Sequence, residues 1–242
     1  MSAGKLIGVG VGPGDPELVT LKAVRVVGEA HVVAYFAKAG NPSRARAIAA
    51  PYLRAGAIEL PLAYPVTTEL PKDCAAYRNV ISDFYDGAAA KIAAHLDAGL
   101  VVAVLCAGDP LFYGSYMHLH ARLASRFSTE IVAGVSGMAG CWSAAGLPIA
   151  QGDDVFTVLA ATLPEAELAR RLNDTDAAVV MKVGRHLPKL RRALQASGRL
   201  DRAIYVERGT MAAEKMLPLR AKPDDEAPYF ALVLVPGWER AP

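Results

Sequence analysis

Residues 100–116 read LVVAVLCAGDPLFYGSY, an apolar run that stops at a glycine, an aspartate and a proline. The apolar part, 100–105, predicts a buried strand, which Pro110 prevents from continuing. Gly108 lets the backbone approach a ligand closely, and Asp109 adds a carboxylate at the same place. Ligands of open α/β sheets bind at the carboxyl ends of strands. These residues alone fit a binding site and an ordinary strand-to-helix turn equally well.

The composition excludes several classes of protein. The chain has 242 residues, of which 53% are hydrophobic and 21% charged, as is typical of a globular protein with a sizeable core. The net charge of +2 is too small to favour nucleic-acid binding. The N-terminus does not read as a signal peptide, and no apolar run reaches membrane-spanning length. We therefore expect a soluble cytoplasmic protein that binds neither nucleic acid nor membranes.

The three cysteines, Cys74, Cys106 and Cys141, lie far apart in the sequence. Their spacing fits no metal site, and no metal is expected elsewhere. An odd and sparse set of cysteines favours a reducing compartment over a disulfide framework.

Predicted strands and helices alternate on both sides of the opening stretch. The segment 61–72 interrupts them with three prolines and is predicted to be extended and irregular. Alternation of strands and helices implies a parallel sheet with right-handed crossovers. The predicted strands are 5–11, 31–36, 58–60, 100–105 and 130–132, and the predicted helices start at 17 and 43 and span 77–97 and 116–127.

The pattern changes after about Gly152. The last two predicted strands have no helix between them, which favours antiparallel pairing. We therefore predict two α/β domains, 1–140 with a mainly parallel sheet and 141–242 with a mixed sheet, and a ligand cleft between them. The predicted strands of the second domain are 155–160, 177–183, 203–206, 214–219 and 229–235, and its helices are 165–172 and 187–196.

Glycines at positions 8, 10, 12 and 14 imitate a dinucleotide-binding fingerprint without completing it. The third glycine of that motif would fall on Pro13 or Asp15, depending on the register. The segment is therefore a glycine-rich turn between a strand and a helix. Such a turn can expose backbone groups to a ligand, or it can simply be a tight loop.

Five turns occur in an order that resembles the tetrapyrrole methylases, which use S-adenosylmethionine. The resemblance covers nearly the whole chain. Further segments are similar to the branch of that family that methylates C20 of precorrin-2 in cobalamin biosynthesis: 41–46 (NPSRAR), 64–67 (YPVT), 111–115 (LFYGS), 181–185 (MKVGR) and 228–230 (PYF). The five turns are 10–16 (GVGPGDP), 108–110 (GDP), 134–136 (GVS), 181–182 (MK) and 207–210 (ERGT).

The chain departs from the family pattern at three places. Cys106 and Ala107 stand where relatives often have serine and glutamate, Gly137 where they have a second serine, and Gly209 where they have alanine. All three changes are to small residues. They are compatible with a cofactor that is bound through backbone groups.

The resemblance implies transfer of a methyl group from a sulfonium to carbon, with donor and acceptor held in line and shielded from water. It implies a cofactor folded in the cleft between the domains, although Met181 alone would read as a core methionine. The implied cofactor contacts are Pro13, Ala107, Gly108, Asp109, Tyr113, Ser136, Gly137, Met181, Gly209, Thr210 and Ala231.

The acceptor implied by the resemblance is a small-molecule tetrapyrrole that carries several carboxylates, which cationic side chains should bind. The candidates for this contact are Arg44, Arg185, His186 and Arg208. The candidates for taking a proton from the methylated carbon are Asp109, Tyr113 and Glu207. The family also implies a homodimer.

Three functions remain open from the sequence. The first is methylation of precorrin-2 at C20, to give precorrin-3A. The second is a family relative that methylates another position or the cobalt-containing form of the substrate. The third is a non-catalytic protein that binds the cofactor or a tetrapyrrole.

Overall fold

The structure, a computed structural model, describes residues 4–65 and 74–237. The chain divides into two compact units, 1–137 and 138–242. The predicted boundary, after residue 140, lies three residues further along. Most of the predicted irregular segment, together with Val66 and Thr67, lies outside the described residues.

The first unit contains a five-stranded sheet in the order β3-β2-β4-β1-β5, and every pair of neighbours is parallel, as predicted. The strands are β1 Lys5–Gly10, β2 Val32–Lys38, β3 Ile58–Tyr64, β4 Val101–Cys106 and β5 Ser128–Val132. The helices are α1 Leu21–Glu29, α2 Arg44–Ala49, α3 Ala75–Asp97 and α4 Tyr116–Leu123.

Both faces of this sheet are covered, which explains why its central strands are apolar without alternation. Leu6 of β1 packs in a core beneath α3 and α4, whereas its neighbour Ile7 packs in a second core with α1 and α2. Gly8 has to be a glycine because the ring of Tyr116 packs against it. A Cβ at position 8 would lie 2.6 Å from Cε1 of that ring.

Several boundaries of the first unit differ from the prediction; for example, α4 ends at Leu123 instead of at 127, and β2 continues to Lys38 instead of ending at 36. Two other differences have clear local reasons. The helix expected from residue 17 is a 3-10 turn, Pro16–Leu18, followed by α1, which starts where the Thr20 hydroxyl accepts a hydrogen bond from the Ala23 N–H at 3.2 Å. Strand β3 continues through Pro61 to Tyr64. It lies at the edge of the sheet, where a missing N–H is tolerated.

The second unit contains a mixed sheet, as predicted, and its strand order is β6-β7-β10-β8-β9. The last two strands, β9 and β10, do not pair with each other, because β8 lies between them. Strands β6 and β7 are parallel, and β10 is antiparallel to both β7 and β8. Strand β9 pairs antiparallel with β8. The strands are β6 Phe156–Ala160, β7 Ala177–Met181, β8 Ile204–Glu207, β9 Lys215–Pro218 and β10 Ala231–Val235.

Three further helices complete the described chain: α5 Gly137–Ala144, α6 Glu165–Asn173 and α7 Leu187–Ala196. Leucines of α6 and α7 pack on one face of the second sheet, and Cys141 of α5 packs on the other face. Helix α5 was not predicted, because its run of small residues lacks apolar periodicity. Over the described ranges, none of the helices is both long enough and apolar enough to cross a membrane.

Candidate functional site

The sheet order brings together three loops of the first unit. Strands β4, β1 and β5 are neighbours and parallel, so the loops after them leave the same edge. Glycines allow these backbones to touch: a Cβ on Gly10 would lie 2.5 Å from the nitrogen of Gly134, and a Cβ on Gly134 would collide with the carbonyl of Gly108. The Gly108 N–H also donates to the Gly12 carbonyl at 2.7 Å. The glycine-rich turn therefore serves backbone-to-backbone packing at this edge.

The Asp109 carboxylate joins two of these loops. Its Oδ2 accepts a hydrogen bond from the Gly134 N–H at 3.1 Å, and its Oδ1 accepts one from the Leu111 N–H at 2.8 Å. Both oxygens thus have a backbone donor. This geometry favours a role in holding the loops over a role in proton removal.

The structure places the predicted cofactor contacts of the first unit at this edge. Pro13 follows Gly12, which is bonded to Gly108, and a Cβ on Gly108 would lie 3.5 Å from the nitrogen of Gly137 and 3.8 Å from Cα of Ser136. Ala107 is exposed, and Tyr113 is 47% exposed.

Cys106, just before this loop, is buried, and burial raises the pKa of its thiol to about 12. A neutral and buried thiol is a poor nucleophile. Cys106 therefore serves the core of the first unit.

The second unit gathers its predicted contacts at one edge of its own sheet. Met181 ends β7, Glu207 ends β8, and Ala231 starts β10, which runs antiparallel between them. Ala231 lies opposite Glu207 in the ladder, and the Arg208 N–H donates to the Phe230 carbonyl at 2.8 Å. The loop after β8 contains Gly209 and Thr210, so these two residues share that edge.

Four non-glycine residues of the described chain have a left-handed backbone: Tyr113 (φ 54°), Lys182 (φ 57°), Arg208 (φ 51°) and Thr210 (φ 66°). All four lie in the loops after β4, β7 and β8 that the resemblance assigns to the cofactor. Such conformations cost energy and cluster at ligand sites. No feature of the sequence predicts these conformations, because none of the four residues is a glycine.

Glu207 and Arg208, predicted as a proton acceptor and a carboxylate ligand, form an ion pair with each other. Glu207 is only 8% exposed, and its Oε2 accepts a hydrogen bond from the Tyr205 hydroxyl at 3.0 Å. The pKa of Tyr205 is raised, first by burial and then by this bond to Glu207. The pair therefore belongs to a polar network at the end of β8, in which Tyr205 and Glu207 are buried and Arg208 is half-buried.

The remaining cationic candidates differ in their surroundings. Arg44 is exposed at the start of α2, and Arg185 is exposed in the 3-10 turn Gly184–His186. Within 4–65 and 74–237, no carboxylate is within ion-pair distance of Arg185. His186 is half-buried beside it. Arg185 is thus an accessible cation at the end of the second unit where β7 finishes.

The sequence model of the Tetrapyrrole (Corrin/Porphyrin) Methylases matches residues 5–222. The chain belongs to the tetrapyrrole methylases. It is 63% identical to a precorrin-2 C(20)-methyltransferase of Sinorhizobium sp, over 100% of this chain and 99% of the relative. It is 28% identical to a cobalt-precorrin-2 C(20)-methyltransferase of Salmonella typhimurium, over 98% of this chain and 99% of the relative.

A solved tetrapyrrole methylase has the same fold. The uroporphyrin-III C-methyltransferase of Thermus thermophilus, solved in complex with S-adenosylhomocysteine, superposes with a TM-score of 0.65. The alignment covers 95% of this chain and 96% of the other, at 24% identity. This likeness supports the two-domain fold.

Sequence reasoning missed Gly134 as a site residue, although it begins one of the five turns. Its N–H anchors Asp109, and its missing side chain admits the Gly108 carbonyl. A glycine at the end of a strand, next to a loop of small residues, was the available signal. The prediction of a cofactor cleft between the two domains stays a prediction.

Proposed function

We propose that this chain transfers a methyl group from S-adenosylmethionine to C20 of precorrin-2, giving precorrin-3A in cobalamin biosynthesis. The observation that carries the proposal is the 63% identity, over essentially the full length of both chains, to the precorrin-2 C(20)-methyltransferase of Sinorhizobium sp. The motif segments 41–46 and 111–115 support the same branch.

The substrate is proposed to be the metal-free ring. Identity to the relative named for the cobalt-containing substrate is 28%, less than half of the identity to the relative named for precorrin-2. Methylation of the cobalt-containing form is the second candidate, and a direct comparison of the two acceptors decides between them.

S-Adenosylmethionine supplies an activated methyl group, because its leaving group is a neutral thioether. The protein's task is therefore to bind and orient the two molecules and to exclude water. In the first unit, we assign this task to Pro13, Ala107, Gly108, Asp109, Tyr113, Ser136 and Gly137. In the second unit, we assign it to Met181, Gly209, Thr210 and Ala231. Most of these residues have small side chains, and their loops contain left-handed residues, which suits a ligand that is held by backbone groups.

We choose Arg185 among the cationic candidates for a carboxylate of the acceptor, because it is exposed and follows β7 in the same loop region as the assigned cofactor contact Met181. Arg208 is already paired with Glu207. Arg185→Ala should raise KM for precorrin-2 and leave the affinity for S-adenosylhomocysteine unchanged. Arg25→Ala is a matched control, since Arg25 is an exposed arginine that pairs with Glu29 on α1. An unchanged KM in the Arg185 variant would contradict the assignment.

The new carbon–carbon bond forms as the carbon–sulfur bond breaks, and the acceptor carbon must then lose a proton. Of the three candidates for taking it, Asp109 and Glu207 have both oxygens engaged within their own units. Tyr113 presents an exposed side chain, and we assign proton removal to it: its hydroxyl accepts the proton from carbon as it gives its own proton to solvent. Tyr113→Phe should lower kcat, whereas the retained aromatic ring should preserve the affinity for the cofactor; an unchanged kcat would contradict the assignment.

The decisive experiment is incubation with labelled S-adenosylmethionine and precorrin-2, followed by mass analysis and NMR mapping of the product. One added methyl group at C20 is the expected result. A methyl group at another position, or faster turnover of the cobalt-containing ring, would replace the proposal with the second candidate. Tight cofactor binding without any turnover would indicate a non-catalytic protein.

We further propose that the protein is a cytoplasmic homodimer. The three cysteines are all free, and two of them are buried, which suits a reducing compartment. The dimer is an expectation from the family. Light scattering coupled to size-exclusion chromatography would measure it, and a monomer across the micromolar range would contradict it.

A further inference from the structure

Aromatic side chains of β2, β3 and α3 pack together in a group that is here called the aromatic cluster: Phe36, Tyr64, Phe84 and Tyr85. The ring of Tyr64 is stacked on Phe36, with the centroids 5.6 Å apart, and lies 4.6 Å from the centroid of Phe84. These contacts fix the plane of the Tyr64 ring and therefore the direction of its hydroxyl.

A chain of three hydroxyls starts in this cluster. The Tyr64 hydroxyl lies 2.9 Å from the Tyr85 hydroxyl and 2.5 Å from Oγ of Ser115. Tyr85 is 5% exposed, and its ring is stacked on His118 of α4 at 4.2 Å. The chain thus links the packed helices α3 and α4, through Tyr64, to Ser115.

Ser115 is the residue immediately before α4, a position where a serine hydroxyl usually accepts a hydrogen bond from the first turn of the helix. Here the hydroxyl makes no such bond and meets Tyr64 instead. Ser115 also ends the loop 107–115. Asp109 fixes the start of that loop on Gly134, and Ser115 fixes its end on Tyr64.

We propose that Tyr64 is a positioning residue for cofactor binding, acting through Ser115 on the loop 107–115. The inference rests on the proposed function, because the assignment of that loop to the cofactor belongs to it. With the hydroxyl removed, the end of the loop samples other conformations. The apparent affinity then falls with the fraction of molecules that are competent to bind.

The test compares Tyr64→Phe, Ser115→Ala and the double variant by calorimetric titration with S-adenosylhomocysteine. Loss of the hydrogen bond between Tyr64 and Ser115 should weaken binding about fivefold in Ser115→Ala, and at least as much in Tyr64→Phe, which also loses the bond to Tyr85. The double variant should bind S-adenosylhomocysteine about as tightly as the single variant with the lower affinity, because both substitutions remove the bond between Tyr64 and Ser115. Ser115→Thr, which keeps the hydroxyl, should bind like the wild type.

Tyr35→Phe is the matched control. It removes a hydroxyl on β2 that is bonded to Glu59 of β3 at 2.9 Å instead of to the loop 107–115, and it should leave the dissociation constant unchanged. Unchanged affinity in Tyr64→Phe, or losses that multiply in the double variant, would overturn the inference.

The two proposals fail in different ways. A wild type that binds S-adenosylhomocysteine without methylating precorrin-2 refutes the proposed function and leaves the affinity comparison intact. A wild type that methylates precorrin-2, with variants that bind as tightly as it does, refutes the role of Tyr64 alone. A wild type that does not bind S-adenosylhomocysteine overturns the cofactor assignment of the loop and this inference together.

Discussion

Replacing Gly209 with alanine should destabilise the second unit because the space for a methyl group is taken by Cys141. A Cβ at position 209 would lie 2.6 Å from Sγ of Cys141 and 3.2 Å from its Cα. Ordinary contact begins at 3.4 Å, so the sulfur would have to move by about 0.8 Å. It is buried between α5 and the sheet and has little room to do so. Such overpacking costs about 1–3 kcal/mol.

The backbone at Gly209 is not in the left-handed region, so the cost is steric. Cys141→Ala should therefore rescue the variant. Alone, it leaves a small cavity that costs about 1 kcal/mol. In that background, Gly209→Ala should cost less than in the wild type, although contacts at 3.2 Å to Cα of residue 141 and to Cγ1 of Val206 remain. The expected coupling energy between the two sites is favourable and about 1 kcal/mol.

The assay is urea unfolding followed by circular dichroism for the wild type, both single variants and the double variant. Gly87→Ala is the control, since a Cβ at that position in the middle of α3 meets nothing within 4 Å. It should stabilise the protein by about 0.5–1 kcal/mol. If the effects at 141 and 209 add to within about 0.5 kcal/mol, the steric explanation of Gly209 is wrong.

Three further predictions concern charge and reactivity. Asp109→Asn keeps only one oxygen to accept the hydrogen bonds from the Leu111 and Gly134 N–H groups. It should weaken binding of S-adenosylhomocysteine but retain measurable methyl transfer, whereas complete loss of turnover at saturating cofactor would support Asp109 as the proton acceptor. Hydrogen bonds from two lysines lower the pKa of Glu130 from 4.5 to about 2. Glu130→Gln should therefore be less stable than the wild type in thermal unfolding at pH 7, and this difference should disappear as the pH falls from 4.5 to about 2. A difference that does not depend on pH would contradict this prediction. Burial raises the pKa of the Cys106 and Cys141 thiols to about 12, so maleimide should label only Cys74 quickly in the folded protein and all three thiols in urea.

Much of the fold was predictable because burial imposes simple patterns on the sequence. Strand β4 has both faces covered and therefore reads as a continuous apolar run, and α7 has one apolar stripe and was predicted with its observed bounds, Leu187–Ala196. The errors lie where a local pattern is absent. Helix α5 consists mainly of small residues, and the extension of β3 through Pro61 depends on its place at the edge of the sheet.

The candidate site was predictable in its location but not in its contacts. Turn motifs identify which strand ends carry it, because glycine and proline are needed locally. The partners of Asp109 and Ser115 depend on which strands and helices are neighbours, and that information is tertiary. For the same reason, the sequence could not show that Arg208 is paired with Glu207, or that Arg185 is not paired with any carboxylate of the described residues.

The three departures from the family pattern do not share one physical cause. Packing requires a glycine at position 209, because Cys141 occupies the space that an alanine methyl group would need. Packing does not require a glycine at position 137, because a Cβ there meets nothing within 4 Å. It does not require a small residue at position 107 either, because Ala107 is exposed. A serine at 137 would fit without any compensating change, whereas an alanine at 209 requires a smaller residue at 141. Residues 141 and 209 should consequently change together among related chains, while 107 and 137 should vary independently of their neighbours.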